Sequence, residues 1–274
     1  LWVVSRAEVE NRNRLKGNQT TTTNNLQLNN PQPTNPMTRS TTIARRELTS
    51  YFCSPIAYVA MALFLLASGT FFWEDFVPGQ PVEMRHIFDW MVWILVFITP
   101  VLGMGLLSQE WATGTIETLM TAPVEDAEVV VGKFLGSLAF LTVLVGPTLL
   151  FVLMLQLYGH PDYGPIASGY LGIGLVGALF VAITLFCSAL TKSQVVAAAM
   201  SAAILFLITI VPYTIAGRAT LPAFWRTVVD EAVFRRYSQF SQGVIDVGNI
   251  VFFIATTAVF LFLTTKVLES RRWK

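Results

Sequence analysis

The sequence predicts an all-α integral membrane protein, a bundle of six transmembrane helices preceded by an amphipathic entry helix. Three observations carry that prediction. The 274 residues are 54% hydrophobic and only 13% charged, whereas a soluble domain carries about 25% charged residues. The charges sit in short segments between long runs that have almost none. Lipid demands this, because an ionised side chain at the bilayer centre costs on the order of 3 kcal/mol or more. Six of the runs also reach the roughly 20 apolar residues needed to cross about 30 Å of hydrocarbon. The net charge of +1 gives no electrostatic case for nucleic acid.

Residues 1–38 read as a disordered polar tail and 39–274 as the transmembrane domain. The tail is rich in Asn, Thr and Gln and closes on Pro31-Gln32-Pro33-Thr34-Asn35-Pro36, too little apolar surface to offset its ordering entropy. It has no apolar stretch of the kind a signal peptide carries. Met37 is the expected initiator. Thr41 to Tyr51 is amphipathic: Ile43, Leu48 and Tyr51 suit a lipid interface, while Arg45 and Arg46 reach phosphates or water beside Glu47. It reads equally as a helical extension of the first span.

The spans are expected at about Phe52–Phe72, Ile87–Leu107, Val129–Leu157, Ala167–Leu190, Val195–Ala216 and Ile250–Val267. The link Thr191-Lys192-Ser193-Gln194 makes the fourth and fifth a tight hairpin. Arg39, Arg45 and Arg46 precede the first span, and Arg271, Arg272 and Lys274 follow the last. The excess of Lys and Arg marks the cytoplasmic side, so both termini are expected there, in a multi-pass protein of the plasma (inner) membrane. Lys133 and Lys192 agree, and Glu74, Asp75 and Glu83 fall outside. The loop with Arg218, Arg226, Arg235 and Arg236 disagrees. Phe224, Trp225, Val228, Val229 and Phe234 suggest a helix lying in the outer interface.

Little in the sequence speaks for chemistry in this chain. The middles of the spans carry no ionisable residue, which disfavours an ion-coupled transporter or channel. Asp89 and Lys133 lie near span ends. There is no phosphate-binding G-x-x-x-x-G-K-[ST] loop, since Gly132-Lys133 lacks the upstream glycine and continues into Phe134. His86 and His160 stand alone in outer loops, without metal-ligand spacing. No nucleophile motif is present, so neither a catalytic nor a metal site is expected. Cys53 and Cys187 read as small buried hydrophobes with no disulfide between them. Pro100 and Pro147 admit hinges or static kinks. Gly132 and Gly136, and the glycines of the fourth span, permit close helix packing.

The informative stretch is Ser108 to Val124, between the second and third spans. Five acidic residues fall between Glu110 and Glu128, on the side where basic residues are expected. Gly114-Thr115 breaks the helix and can cap a short one from Ile116, with Glu117 near its positive N-terminus and Pro123 ending it. Ile116, Leu119 and Met120 would give it an apolar face for a groove on a soluble partner. The alternative is an interfacial turn packing on its own bundle.

Glu110-x-x-x-Gly114-Thr115-x-Glu117-x-Leu119, followed by Ala122-Pro123, resembles the signature of ABC-2-type permeases. Arg46-Glu47-Leu48 before Tyr51-Phe52 and Ser54-Pro55 is similar to that family's opening segment, and Phe240 with Gly243-Val244-Ile245-Asp246 is similar to the stretch before its last span. The likeness covers about Thr41 to Arg272 and is nearest to the gliding-motility type. It implies a six-span bundle of the type V exporter kind, with short re-entrant helices between spans five and six. It also implies a separate ABC ATPase that binds ATP and Mg, a second permease copy or paralogue, and contact with membrane lipid. Glu110, Gly114, Thr115, Ile116, Glu117, Leu119 and Pro123 would then couple ATPase to bundle. Glu110 reads alternatively as structural, neutralising a basic group of the entry helix. An ion-coupled transporter or channel, or a membrane scaffold or force-transducing component, remains the alternative function.

Overall fold

Prolines, glycines and short polar links set the helix ends. The computed structural model describes residues 36–75, 84–115, 125–158, 161–216 and 232–272, and no strand occurs among them. The chain forms two units, Leu1–Arg39 and Ser40–Lys274. Helix α1 spans Pro36–Cys53 and is followed by α2, Pro55–Asp75. Ser54 separates them, its N–H bonded to the Tyr51 carbonyl at 3.0 Å, and Pro55 opens α2 where its missing N–H costs nothing. The leading segment is therefore a helix of its own, not an extension of the first span.

Next come α3 (Arg85–Gly103), α4 (Ser108–Thr113) and α5 (Asp126–Val145). A single 3-10 turn at Gly146–Thr148 joins α5 to α6 (Leu149–Tyr158), so Pro147 interrupts the third span while Pro100 and Pro212 sit inside continuous helices. Then follow α7 (Tyr163–Leu190), α8 (Gln194–Ala216), α9 (Val233–Ser241) and α10 (Val247–Arg272). Among the described residues, six stretches are long and apolar enough to cross a membrane: Pro55–Glu74, Arg85–Thr113, Asp126–Leu157, Tyr163–Leu190, Gln194–Pro212 and Val247–Arg271. Each contains or overlaps one of the runs marked in the sequence. His86 lies in the first turn of α3 instead of a loop. Ile116, Glu117, Leu119, Met120 and Pro123 lie outside the described residues, as do His160, Arg218, Phe224, Trp225, Arg226, Val228 and Val229.

The fourth span is the post on which the others lean. It is 72% buried and the second span 61%, against a third or less for the other four. Glycine makes this possible. A Cβ on Gly169 would stand 2.3 Å from the Phe88 ring, one on Gly172 2.8 Å from Phe240 Cβ, and one on Gly177 2.7 Å from the Leu141 side chain. Lipid tails are as apolar as leucine, so such contacts hold helices together by dispersion at close range. Several hydroxyls inside the spans bond back to their own helix, as Thr99 to the Leu95 carbonyl (2.8 Å) and Thr184 to that of Phe180 (2.9 Å), which satisfies them without water.

The leading helix uses the same device. A Cβ on Gly132 would lie 2.7 Å from Ile43 Cβ, and one on Gly136 2.7 Å from Glu47 Cβ and 2.8 Å from the Ala44 carbonyl. Ile43 and Tyr51, expected at the lipid interface, thus face the third span, whereas Arg45 and Arg46 are exposed. Cys187 is buried as expected, but Cys53 is exposed, because α1 turns its other side to the bundle. Gly136→Val is predicted to cost about 2 kcal/mol by overpacking and to lower the thermal midpoint in detergent. Gly174→Ala, where a Cβ meets nothing within 4 Å, is predicted to leave it unchanged or raise it.

Candidate functional site

The segment below the second span is fastened to the bundle at several points. After Gly103 the chain leaves helical geometry for Met104–Leu107, freeing backbone groups that a buried turn must satisfy. Ser188 of α7 does this: its Oγ accepts from the Leu107 and Ser108 N–H groups, both at 3.0 Å, and donates to the Met104 carbonyl at 3.0 Å. The Ser108 hydroxyl also donates to the Met104 carbonyl. Six residues of α4 follow and stop at Gly114, whose φ of 73° is a left-handed conformation that glycine adopts without strain. Nothing lies within 4 Å of a Cβ there, so backbone geometry alone asks for glycine. Thr113 and Thr115 hydroxyls meet at 2.9 Å across it.

Lys133 is the centre of the site. It lies seven residues into α5, roughly 10 Å along the helix, with its side chain only 3% exposed. Its Nζ donates to Glu47 Oε1 of α1 at 2.5 Å and to Glu110 Oε1 of α4 at 2.8 Å. A lone buried ammonium so placed is prohibitive; two flanking carboxylates make it tenable and tie three segments to one point. The cation that Glu110 neutralises stands on the third span, and the leading helix contributes a carboxylate, the reverse of what the sequence suggested. One turn further on, the Tyr51 hydroxyl donates to the Leu102 carbonyl and lies 3.1 Å from Ser137 Oγ, while its ring stacks 4.7 Å from Phe140. Burial holds this phenol above its ordinary pKa, so it stays a donor.

The C-terminal helix completes the assembly. Arg271 places its guanidinium 4.9 Å from the centre of the Trp111 ring and donates to the Leu190 carbonyl at the C-terminus of α7. A cation belongs at that negative helix end. Helices α1, α4, α5, α7 and α10 therefore meet in one junction at one end of the bundle. Of the residues marked in the sequence, Glu47, Glu110, Gly114 and Thr115 fall at or beside it, and Arg45 and Arg46 on the exposed side of α1. Lys133, Trp111, Ser188 and Arg271 were missed as site residues. The acidity of the loop also receives a local cause. Glu110 serves Lys133, and the Glu128 carboxylate accepts the Glu125 N–H at 3.2 Å in the first turn of α5, which also holds Asp126.

The far end carries the amphipathic α9. Its Tyr237 and Phe240 rest on Gly172, and the Ser168 hydroxyl donates to the Phe240 carbonyl at 2.8 Å. Arg236 is taken up by Asn249 Oδ1 at 3.0 Å and by the Phe252 ring, 4.4 Å to its centre. The arginine that sat awkwardly in the sequence-based topology is thus bound within the fold.

Removing the cation of the junction leaves two facing carboxylates. Lys133→Met is predicted to destabilise the bundle by about 3 kcal/mol, read as a lower thermal midpoint in detergent. The triple change Lys133→Met, Glu47→Gln, Glu110→Gln is predicted to recover most of that loss.

The sequence model of a family described as ABC-2 family transporter protein matches residues 9–273. No curated protein matches the chain. The match covers all six spans, the junction and α9. The chain accordingly belongs to the ABC-2 family, as a multi-pass transmembrane component of an ABC transporter.

Proposed function

We propose that the chain is the permease subunit of an ATP-driven exporter, coupled to a separate ATPase through the segment between its second and third spans. The observation that carries this reading is the Lys133 junction, into which that segment is built through Glu110. A peptide that only linked two spans would not require a buried ion pair with two other helices. The segment leaves the junction at Gly114, and the residues after it, Ile116, Glu117, Leu119 and Pro123, would form the surface that docks on the partner. ATP and Mg belong to that partner, so the chain itself hydrolyses nothing.

The mechanism follows from the fastenings. Closure of the ATPases on ATP would displace the segment after Gly114, and α4 would pass the motion on through two polar links. Glu110 reaches α5 and α1 by way of Lys133, and Trp111 reaches α10 and the end of α7 by way of Arg271. A displacement at this end becomes a movement of whole spans, because buried ion pairs and glycine contacts are discrete arrangements that do not stretch. Six helices seldom enclose a wide path, so a second copy or a paralogue completes the transporter. The basic residues Arg39, Arg45, Arg46 and Arg271 support a cytoplasmic side for the junction and for both termini, in the plasma or inner membrane.

A tagged protein solubilised from its native membrane in mild detergent is predicted to bring down an ATP-binding subunit, and Glu117→Arg to lose it while the bundle remains monodisperse. An intact bundle that recruits no ATPase would overturn the exporter reading.

A further inference from the structure

The junction does not balance its own charge. One ammonium, on Lys133, stands against two carboxylates, on Glu47 and Glu110, so one negative charge is left over at a mostly buried point. Arg271, which completes the junction, does not answer it: that side chain is turned to the Trp111 ring and the Leu190 carbonyl. The second carboxylate oxygen of Glu110 is shut from solvent. Glu47 instead lines a cavity of about 130 Å³, many times the roughly 10–15 Å³ that admits one water.

The cavity sits at the membrane boundary. Ser54 on its wall precedes Pro55, the first residue of the first span, and Gln194 is the first residue of the fifth. On one side α1 presents Glu47, Ser50 and Tyr51 at helical spacing, and Ser54 follows directly. Gln109 and Gln194 also line it, and their side chains meet over Gly105. A Cβ on that glycine would stand 3.2 Å from Gln109 Oε1 and 4.0 Å from Gln194 Cδ. The side chains of Ser50, Ser54, Gln109 and Gln194 make no hydrogen bond among the described residues. Two hydroxyls, two amides and a carboxylate thus converge with acceptors to spare. No lysine or arginine among the described residues lines the space.

This set suits a primary ammonium, which brings one positive charge and three N–H donors. An anion would find no cation inside, and a quaternary ammonium would have no proton to donate. Ile56 and Val101 are apolar, exposed residues of the same lining, so the mouth accepts a molecule that carries its ammonium on a lipid. Arg46 is exposed, stands four residues before Ser50 on one face of α1, and makes no ion pair among the described residues. Its guanidinium is free for a phosphate. We propose that this cavity binds the headgroup of an aminophospholipid from the adjoining leaflet, its ammonium beside Glu47 and its phosphate at Arg46. The lipid then supplies the charge that the junction lacks. The inference needs only the junction and the membrane, not the exporter reading.

The test places the full chain in nanodiscs of equal parts phosphatidylethanolamine and phosphatidylcholine. Native mass spectrometry then reads which lipid stays on the chain after release. The two lipids share a phosphate and acyl chains and differ in whether the ammonium carries N–H donors. Phosphatidylethanolamine is expected to be retained over phosphatidylcholine by on the order of tenfold. Ser50→Lys tethers an ammonium at the cavity wall and is expected to abolish the preference. Thr49→Lys puts the same charge on an exposed neighbour outside the cavity and is expected to keep it. Gln194→Leu is expected to reduce the preference severalfold, and serves should Ser50→Lys not fold. Soluble ethanolamine at the concentration of the lipid is expected to displace none of it. Equal retention of the two lipids, a preference undiminished in Ser50→Lys or Gln194→Leu, one lost in Thr49→Lys, or displacement by soluble ethanolamine would overturn the proposal.

Discussion

A single ammonium group organises the end of the bundle where the helices converge. Lys133 is buried and lies between Glu47 and Glu110, so the leading helix, the segment after the second span and the third span share one electrostatic centre. Neither carboxylate can leave without exposing the lysine to a partly unpaired state, and the lysine cannot leave without setting two anions face to face. Buried pairs seldom add net stability compared with apolar packing. What they impose is a unique arrangement, here of three segments at one end of the bundle.

The remaining contacts extend that arrangement without adding charge. Gly132 and Gly136 bring α1 close enough for Glu47 to reach Lys133; a larger residue at either position would push the carboxylate away. Ser188 absorbs the backbone groups released where the second span breaks, so α4 can turn off the span axis without orphaned donors. Arg271 closes the junction from the last span. At the opposite end α9 rests on the glycine face of α7, its Phe240 carbonyl accepting from the Ser168 hydroxyl and its Arg236 donating to Asn249.

Much of this was legible in the sequence because lipid imposes a length and a polarity that few other environments do. All six spans, a tight link at Thr191–Gln194 (three residues in the structure, since α8 takes in Gln194) and the break at Gly114 follow from apolar run length and from glycine's tolerance of positive φ. The junction was not legible. A lysine near the end of a span reads as a boundary marker, and nothing local distinguishes it from one whose partners lie 86 and 23 residues away. Ile43 and Tyr51 were assigned to lipid for a related reason: in a bilayer, protein and lipid present equally apolar surroundings, so an amphipathic pattern cannot tell which lies on its apolar side. Trp111 and Arg271 look like ordinary interfacial residues until the fold stacks one on the other.

If Lys133 joins α1, α4 and α5 into one body, the three move together when the transporter works. The most direct test is an electron-spin distance measurement between labels at Thr49 of α1 and Thr113 of α4, both exposed, in a Cys53→Ser background that leaves only the buried Cys187. In the assembled transporter the Thr49–Thr113 distance should stay the same with and without ATP, while the distance from either label to Ser238 on α9 changes. In Lys133→Met the Thr49–Thr113 distribution should broaden. A Thr49–Thr113 distance that shifts with ATP while Lys133 is intact would show that Lys133 does not hold α1 and α4 together.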